Sequence, residues 1–128
     1  MRRCSPAATR SSVAGSLPSR AWSWARISSA ERPAAGVRVA VQARDGDGWR
    51  DLGGGVTDAD GRVPGLLAGP LAAGTHRLVF ATGEWFQAQG VAGFYPEVSV
   101  VFDIQDPGAH HHVPLLLSPF GYSTYRGS

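Results

Sequence analysis

A chain of 128 residues, 43% hydrophobic and 17% charged, has room for one core and not for two. Its 17 Gly and 9 Pro exclude a helical bundle, and no run nears the roughly 18 apolar residues that a membrane-spanning helix needs. The formal charge of +2 hides an asymmetry, since residues 1–32 hold six Arg and one acid while residues 33–128 hold six Arg and nine acids, so the basic balance of the first quarter is no argument for nucleic-acid binding.

Residues 1–32 are rich in Ser, Ala and Arg and lack hydrophobic periodicity, so they read as non-core sequence. The stretch Ser12 to Ala21 is too polar for the apolar segment of a secretory signal. A transit peptide or a mis-framed start fits the composition, with disorder expected from Met1 to about Leu17. A single cysteine, Cys4, precludes an internal disulfide and makes a reducing compartment, the cytoplasm, the default.

From Pro33 the pattern alternates. Gly36 to Arg44 predicts a strand with Val37, Val39, Val41 and Ala43 facing a core. Asp45-Gly46-Asp47-Gly48 supplies a hairpin turn, and Trp49 to Val56 the returning strand. Thr57-Asp58-Ala59-Asp60-Gly61 predicts a second tight turn that delivers Arg62. Thr75 to Thr82 is a third strand, with Leu78 and Phe80 on one face, and Glu84 to Gln89 a short helix between Gly83 and Gly90. Tyr95 to Ile104 alternates with Val98, Val100, Phe102 and Ile104 inward. His110 to Ser118 does so with Val113, Leu115 and Leu117 inward. Ser118-Pro119-Phe120-Gly121 predicts a type I turn, folding Tyr122 to Arg126 back as a hairpin partner. Short strands with turns every 8 to 12 residues indicate an all-β sandwich.

Four histidines, Arg62 and the terminal Tyr125-Arg126-Gly127-Ser128 are the residues that could carry chemistry. If Val113, Leu115 and Leu117 face the core, His110 and His112 project from the other face, while His111 and His76 read as structural. Two histidines at i and i+2 could hold zinc only with a third protein ligand, and the sequence positions none, so no metal is expected. Taken alone, Arg62 reads as a solvated turn residue and the tail as a frayed end.

The segment His110-His111-His112-Val113-Pro114-Leu115-Leu116-Leu117-Ser118-Pro119-Phe120-Gly121-Tyr122-Ser123-Thr124-Tyr125-Arg126-Gly127-Ser128 resembles the closing signature of the transthyretin-related 5-hydroxyisourate hydrolases. Arg32-Pro33-Ala34-Ala35-Gly36-Val37, Thr57-Asp58-Ala59-Asp60-Gly61-Arg62 and Phe94-Tyr95-Pro96-Glu97-Val98 resemble them in order and spacing, so the likeness runs from about Arg32 to Ser128. It implies a prealbumin-like Greek-key β-sandwich with one short helix over residues 33–128, assembled as a homotetramer, a dimer of dimers with active sites between the dimers. It implies that 5-hydroxyisourate is hydrolysed in urate breakdown without a cofactor. His112, Arg62 and Ser128 would be catalytic, and Arg62, His112, Tyr125, Arg126 and Gly127 would bind substrate. Those residue types suit the reaction: imidazole is the side chain that exchanges protons near neutral pH, and a guanidinium can meet the oxyanion formed when water attacks a ring amide.

One motif departs. The likeness predicts a His-Val-Leu-Asp start to the first strand, carrying a second active-site histidine. Here the stretch reads Ala25-Arg26-Ile27-Ser28-Ser29-Ala30-Glu31, with no histidine before His76. One coding of Arg26-Ile27-Ser28-Ser29 contains His-Leu-Leu when read a base out of register. The expectation is a missing first strand, a sheet edge left open and weak or absent turnover that a restored His-Val-Leu-Asp start recovers. Two further readings are a non-catalytic transthyretin-like carrier of a small ligand and a scaffold sandwich with no site. A carrier channel should be apolar, whereas Arg62, His110, His112 and Tyr125 make a wet, ionisable one, which favours the hydrolase.

Overall fold

The structure is a computed structural model and describes residues 25–30, 32–67, 71–107 and 112–127. The segment 1–24, with the disorder and the transit peptide expected there, lies outside the described residues. Among the described residues, eight strands and one helix follow in order: β1 (Ala25–Ser29), β2 (Arg32–Pro33), β3 (Arg38–Asp45), β4 (Gly48–Val56), β5 (Gly74–Phe80), α1 (Thr82–Ala88), β6 (Val98–Ile104), β7 (Val113–Ser118) and β8 (Gly121–Thr124). They form two four-stranded sheets, ordered β2-β1-β7-β8 and β4-β3-β5-β6. The architecture is the sandwich with one short helix that the pattern of the sequence predicts.

Alternation decides what each sheet buries. Ile27, Val113, Leu115 and Leu117 from the first sheet and Val39, Val41, Leu78, Phe80, Val98 and Ile104 from the second belong to one buried cluster, joined by Val63, Leu66, Leu67 and Leu71 from the connection between β4 and β5. His76 is buried among them, its ring stacked on Phe102 and its Nδ1 3.0 Å from the Gly74 carbonyl, in the structural position its sequence setting suggests.

Several boundaries differ from the sequence reading. The helix starts two residues early, at Thr82, because β5 ends at Phe80 and only Ala81 separates the two. β6 starts at Val98 and not at Tyr95, because Pro96 has no N–H to give to a ladder and its carbonyl instead accepts the Gly83 N–H at 3.0 Å. The hairpin partner of β7 ends its ladder at Thr124.

The larger correction is β1. Residues 25–30 are part of the sandwich, not non-core sequence, and the first strand is formed, so the fold begins ahead of Pro33. Ala25 and Ile27 are 0% exposed. β1 pairs in parallel with β7 from Ala25↔Val113 to Ser29↔Leu117 and turns back into β2 through Ser28↔Pro33. Two inward side chains are too few to show a period, and the strand is held by a partner from the other end of the sequence. What the stretch lacks is the histidine, not the strand.

Candidate active site

Arg62 is placed by the turn before it. The Thr57 hydroxyl, buried, donates to the Ala34 carbonyl at 2.7 Å and accepts the Val37 N–H at 2.9 Å, which fixes the turn to the start of β3. One Asp58 carboxylate oxygen accepts the N–H groups of Asp60 (2.9 Å) and Arg62 (3.1 Å), the use for which Asp is favoured in turns. Gly61 has φ of 76° and its carbonyl accepts the Ile27 N–H at 2.9 Å; a Cβ there would collide with the Ile27 carbonyl oxygen. The turn is thereby laid against β1, and Arg62 pairs with Arg26 in an antiparallel bridge.

His112 is placed by the strand after it. Val113, Leu115 and Leu117 anchor β7 in the core, which sends the even-numbered positions to the outer face. Beyond β8 the tail returns to β7: the Gly127 N–H donates to the His112 carbonyl at 2.8 Å, and the two residues form a bridge. Gly127 is buried against the imidazole, and a Cβ on it would strike the ring at Cδ2. The pairings Leu115↔Thr124 and His112↔Gly127 are one continuous register, so Tyr125 stands opposite Pro114.

These pairings draw a row across the outer face of the first sheet. Arg62 is beside Arg26, Arg26 is in register with Pro114, and Pro114 faces Tyr125. Directly paired residues project their side chains to the same face, and neighbouring strands lie about 4.8 Å apart. His112 is two residues before Pro114 and so shares that face. Arg62 and His112 thus lie two strand widths apart across β1, with backbones on the order of 12 Å apart, a span that one flat heterocycle and a long arginine side chain bridge. Arg26, Arg62 and Arg126 are exposed, Tyr125 is 58% exposed and His112 is half-buried.

Of the residues singled out in the sequence, the structure therefore brings together Arg62, His112, Tyr125 and Gly127, with Arg126 next to them in the chain. Ser128, His110 and His111 lie outside the described residues. The row also contains Arg26, in the stretch that the sequence reads as non-core, where its one signal is its place between the inward Ala25 and Ile27. Among the described residues no group of three His, Cys, Asp or Glu could hold a metal ion, and no helix is long and apolar enough to cross a membrane.

Comparison with known proteins gives a consistent result. The model of the HIUase/Transthyretin family matches residues 28–127. The chain is 46% identical over 98 residues to a protein of Salmonella dublin named 5-hydroxyisourate hydrolase, covering 76% of this chain and 72% of that one. Among solved structures, the 5-hydroxyisourate hydrolase of Klebsiella pneumoniae superposes with a TM-score of 0.71 at 37% identity, covering 81% of this chain and 90% of that one. Sea bream transthyretin in complex with thyroxine superposes with a TM-score of 0.72 at 35% identity, covering 80% and 92%.

Proposed function

The chain belongs to the HIUase/Transthyretin family, and on that premise we propose how its residues act. Its reaction is the hydrolysis of 5-hydroxyisourate in urate degradation, and it is a hydrolase. The observation that carries the assignment of residues is the placing of Arg62, His112 and the tail on one face of one sheet.

In the proposed mechanism His112 takes a proton from water as that water's oxygen bonds to the ring amide carbon of 5-hydroxyisourate. The carbonyl oxygen becomes an oxyanion, which Arg62 meets with a charge-assisted hydrogen bond worth about 3 kcal/mol in the transition state, the scale of a single oxyanion donor. The intermediate collapses with cleavage of the carbon–nitrogen bond. The nitrogen leaves with the proton that His112 returns, and the carbon becomes a carboxylic acid, which gives its proton to solvent and leaves the carboxylate of 2-oxo-4-hydroxy-4-carboxy-5-ureidoimidazoline. Tyr125, Arg126 and Gly127 border the substrate, and Ser128 is proposed to complete the catalytic set.

A homotetramer is the proposed assembly. Leu116, two residues beyond Pro114 on the same outer face, is 45% exposed, and a second copy laid on this face would cover it. The cytoplasm is the proposed compartment, in keeping with a single cysteine. The likeness to a thyroxine-binding transthyretin supports carriage as the second reading, but a row holding two arginines and a histidine suits a polar substrate better.

The test is the ultraviolet decay of freshly generated 5-hydroxyisourate. We expect the chain to accelerate it, and His112→Ala and Arg62→Ala to lower kcat/KM by about 10² to 10³. Decay equal to buffer alone for all three proteins rejects catalysis by this chain. A first strand without histidine is proposed to keep the turnover of the chain below that of relatives that carry one.

A further inference from the structure

The row across the outer face holds a residue to which no role has been assigned. Arg26 is the exposed residue of β1 between two fully buried neighbours, and it is the central link of the row: Arg62 pairs with it on one side and Pro114 on the other. A molecule that touches Arg62 at one end and His112 or Tyr125 at the other has to lie over β1, and the side chain that β1 sends to that place is Arg26.

Its charge makes the position informative. Like charges on directly paired residues of a sheet repel, and Arg26 and Arg62 are such a pair. Among the described residues neither has a carboxylate partner; the ion pair of this region of the sequence is that of Arg38 with Glu84, on the other sheet. Two exposed arginines on directly paired residues, with the buried Pro114 next to Arg26, offer forked donors to a flat anion that presents oxygens along one edge. A guanidinium offers five N–H donors and no acceptor, so Arg26 can donate hydrogen bonds but not accept them. Its chemistry is binding.

We propose that Arg26 is a substrate-binding residue of this site, which together with Arg62 holds the oxygen-rich edge of the heterocycle and the carboxylate that ring opening creates. The assignment rests on the hydrolase reading given above. It adds a substrate class: planar heterocycles that are anionic, or become anionic on hydrolysis, in preference to neutral ones of the same shape. Arg26 stabilises bound substrate and product alike, so its weight falls on KM, whereas that of Arg62 falls on kcat.

The test compares the wild-type chain with Arg26→Leu, which retains an apolar stem in the strand, and with Arg26→Lys, which retains the charge. Two readings are taken: the kinetics of 5-hydroxyisourate hydrolysis, and the Kd of urate monoanion by titration calorimetry, at low and high salt. Arg26→Leu is expected to raise KM and the urate Kd by about tenfold, the loss of one hydrogen bond to a charged group, with kcat changed by less than about threefold. Arg26→Lys should recover part of the loss, and high salt should shrink the difference. A folded Arg26→Leu protein with unchanged KM and unchanged urate Kd overturns the proposal. So does one whose unfolding temperature rises, from relief of repulsion, while both binding constants stay put. If the wild-type chain hydrolyses nothing, the reading of the reaction fails, and the urate titration still decides for Arg26: binding weakened by both Arg26→Leu and Arg62→Leu sustains the anion site, and binding indifferent to Arg26 ends it.

Discussion

The least conspicuous residue of the site has the most specific requirement. Gly127 has no side chain where a Cβ would meet the His112 ring, so the tail can hydrogen-bond to the histidine backbone while leaving the imidazole where β7 places it. Gly127→Ala is expected to force the ring aside and to lower kcat by about 10²-fold, the cost of a misplacement near an ångström. Because the substitution lies beyond β8, outside the ladders of both sheets, global unfolding in urea should shift little. Activity and stability measured on the same sample separate the two effects. In the sequence this glycine is one letter of a terminal motif, visible through resemblance and not through physics. Arg62 was legible as the residue a turn delivers, since Asp58 and Gly61 carry their own turn chemistry. That its neighbour across the sheet would be another arginine was not legible, because the pairing joins segments far apart in sequence.

The strands differ in how openly the sequence announces them. β3, β6 and β7 alternate over enough residues to fix their buried faces, and Val39, Val41, Val98, Ile104, Val113 and Leu115 are buried as that alternation requires. β1 has two inward residues and is recognised only through β7. Its weight can be measured: Ile27→Ala removes a fully buried side chain and should destabilise the fold by about 3 kcal/mol in urea titration, as at other core sites. The helix is tied to β3 differently, by Arg38 donating to both carboxylate oxygens of Glu84 at 2.6 Å. That hydrogen bonding, aided by the nearby positive charge, holds the Glu84 carboxyl below its ordinary range. A lowered folded value means that the stabilisation is present above the unfolded carboxyl's pKa and is lost as pH falls through the folded one. Both groups are exposed, so Glu84→Gln is expected to leave the unfolding midpoint at neutral pH nearly where it was, and to remove only a small part of the acid sensitivity.

At the scale of the molecule, composition and turn spacing determined the sandwich, but a shared face for Arg62, His112 and the tail is a property of sheet order, which no local pattern encodes. Assembly is one step further from the sequence. If copies of the chain meet over the outer face of the first sheet, Leu116→Glu should shift light scattering from four copies to fewer and should abolish hydrolysis, while circular dichroism keeps its strand signature. A chain still tetrameric after that change would place the contact elsewhere.

The parallel partnership of β1 and β7 also has a consequence for synthesis. β1 leaves the ribosome well before β7, so the edge of β1 that β7 will cover stays open, beyond what β2 pairs, until β7 has been made. Closure of the first sheet is thus a late and non-local event, of the kind that slows folding in β proteins. A stalled or prematurely terminated product would emerge with that strand still seeking a mate, an aggregation hazard that the finished molecule does not show.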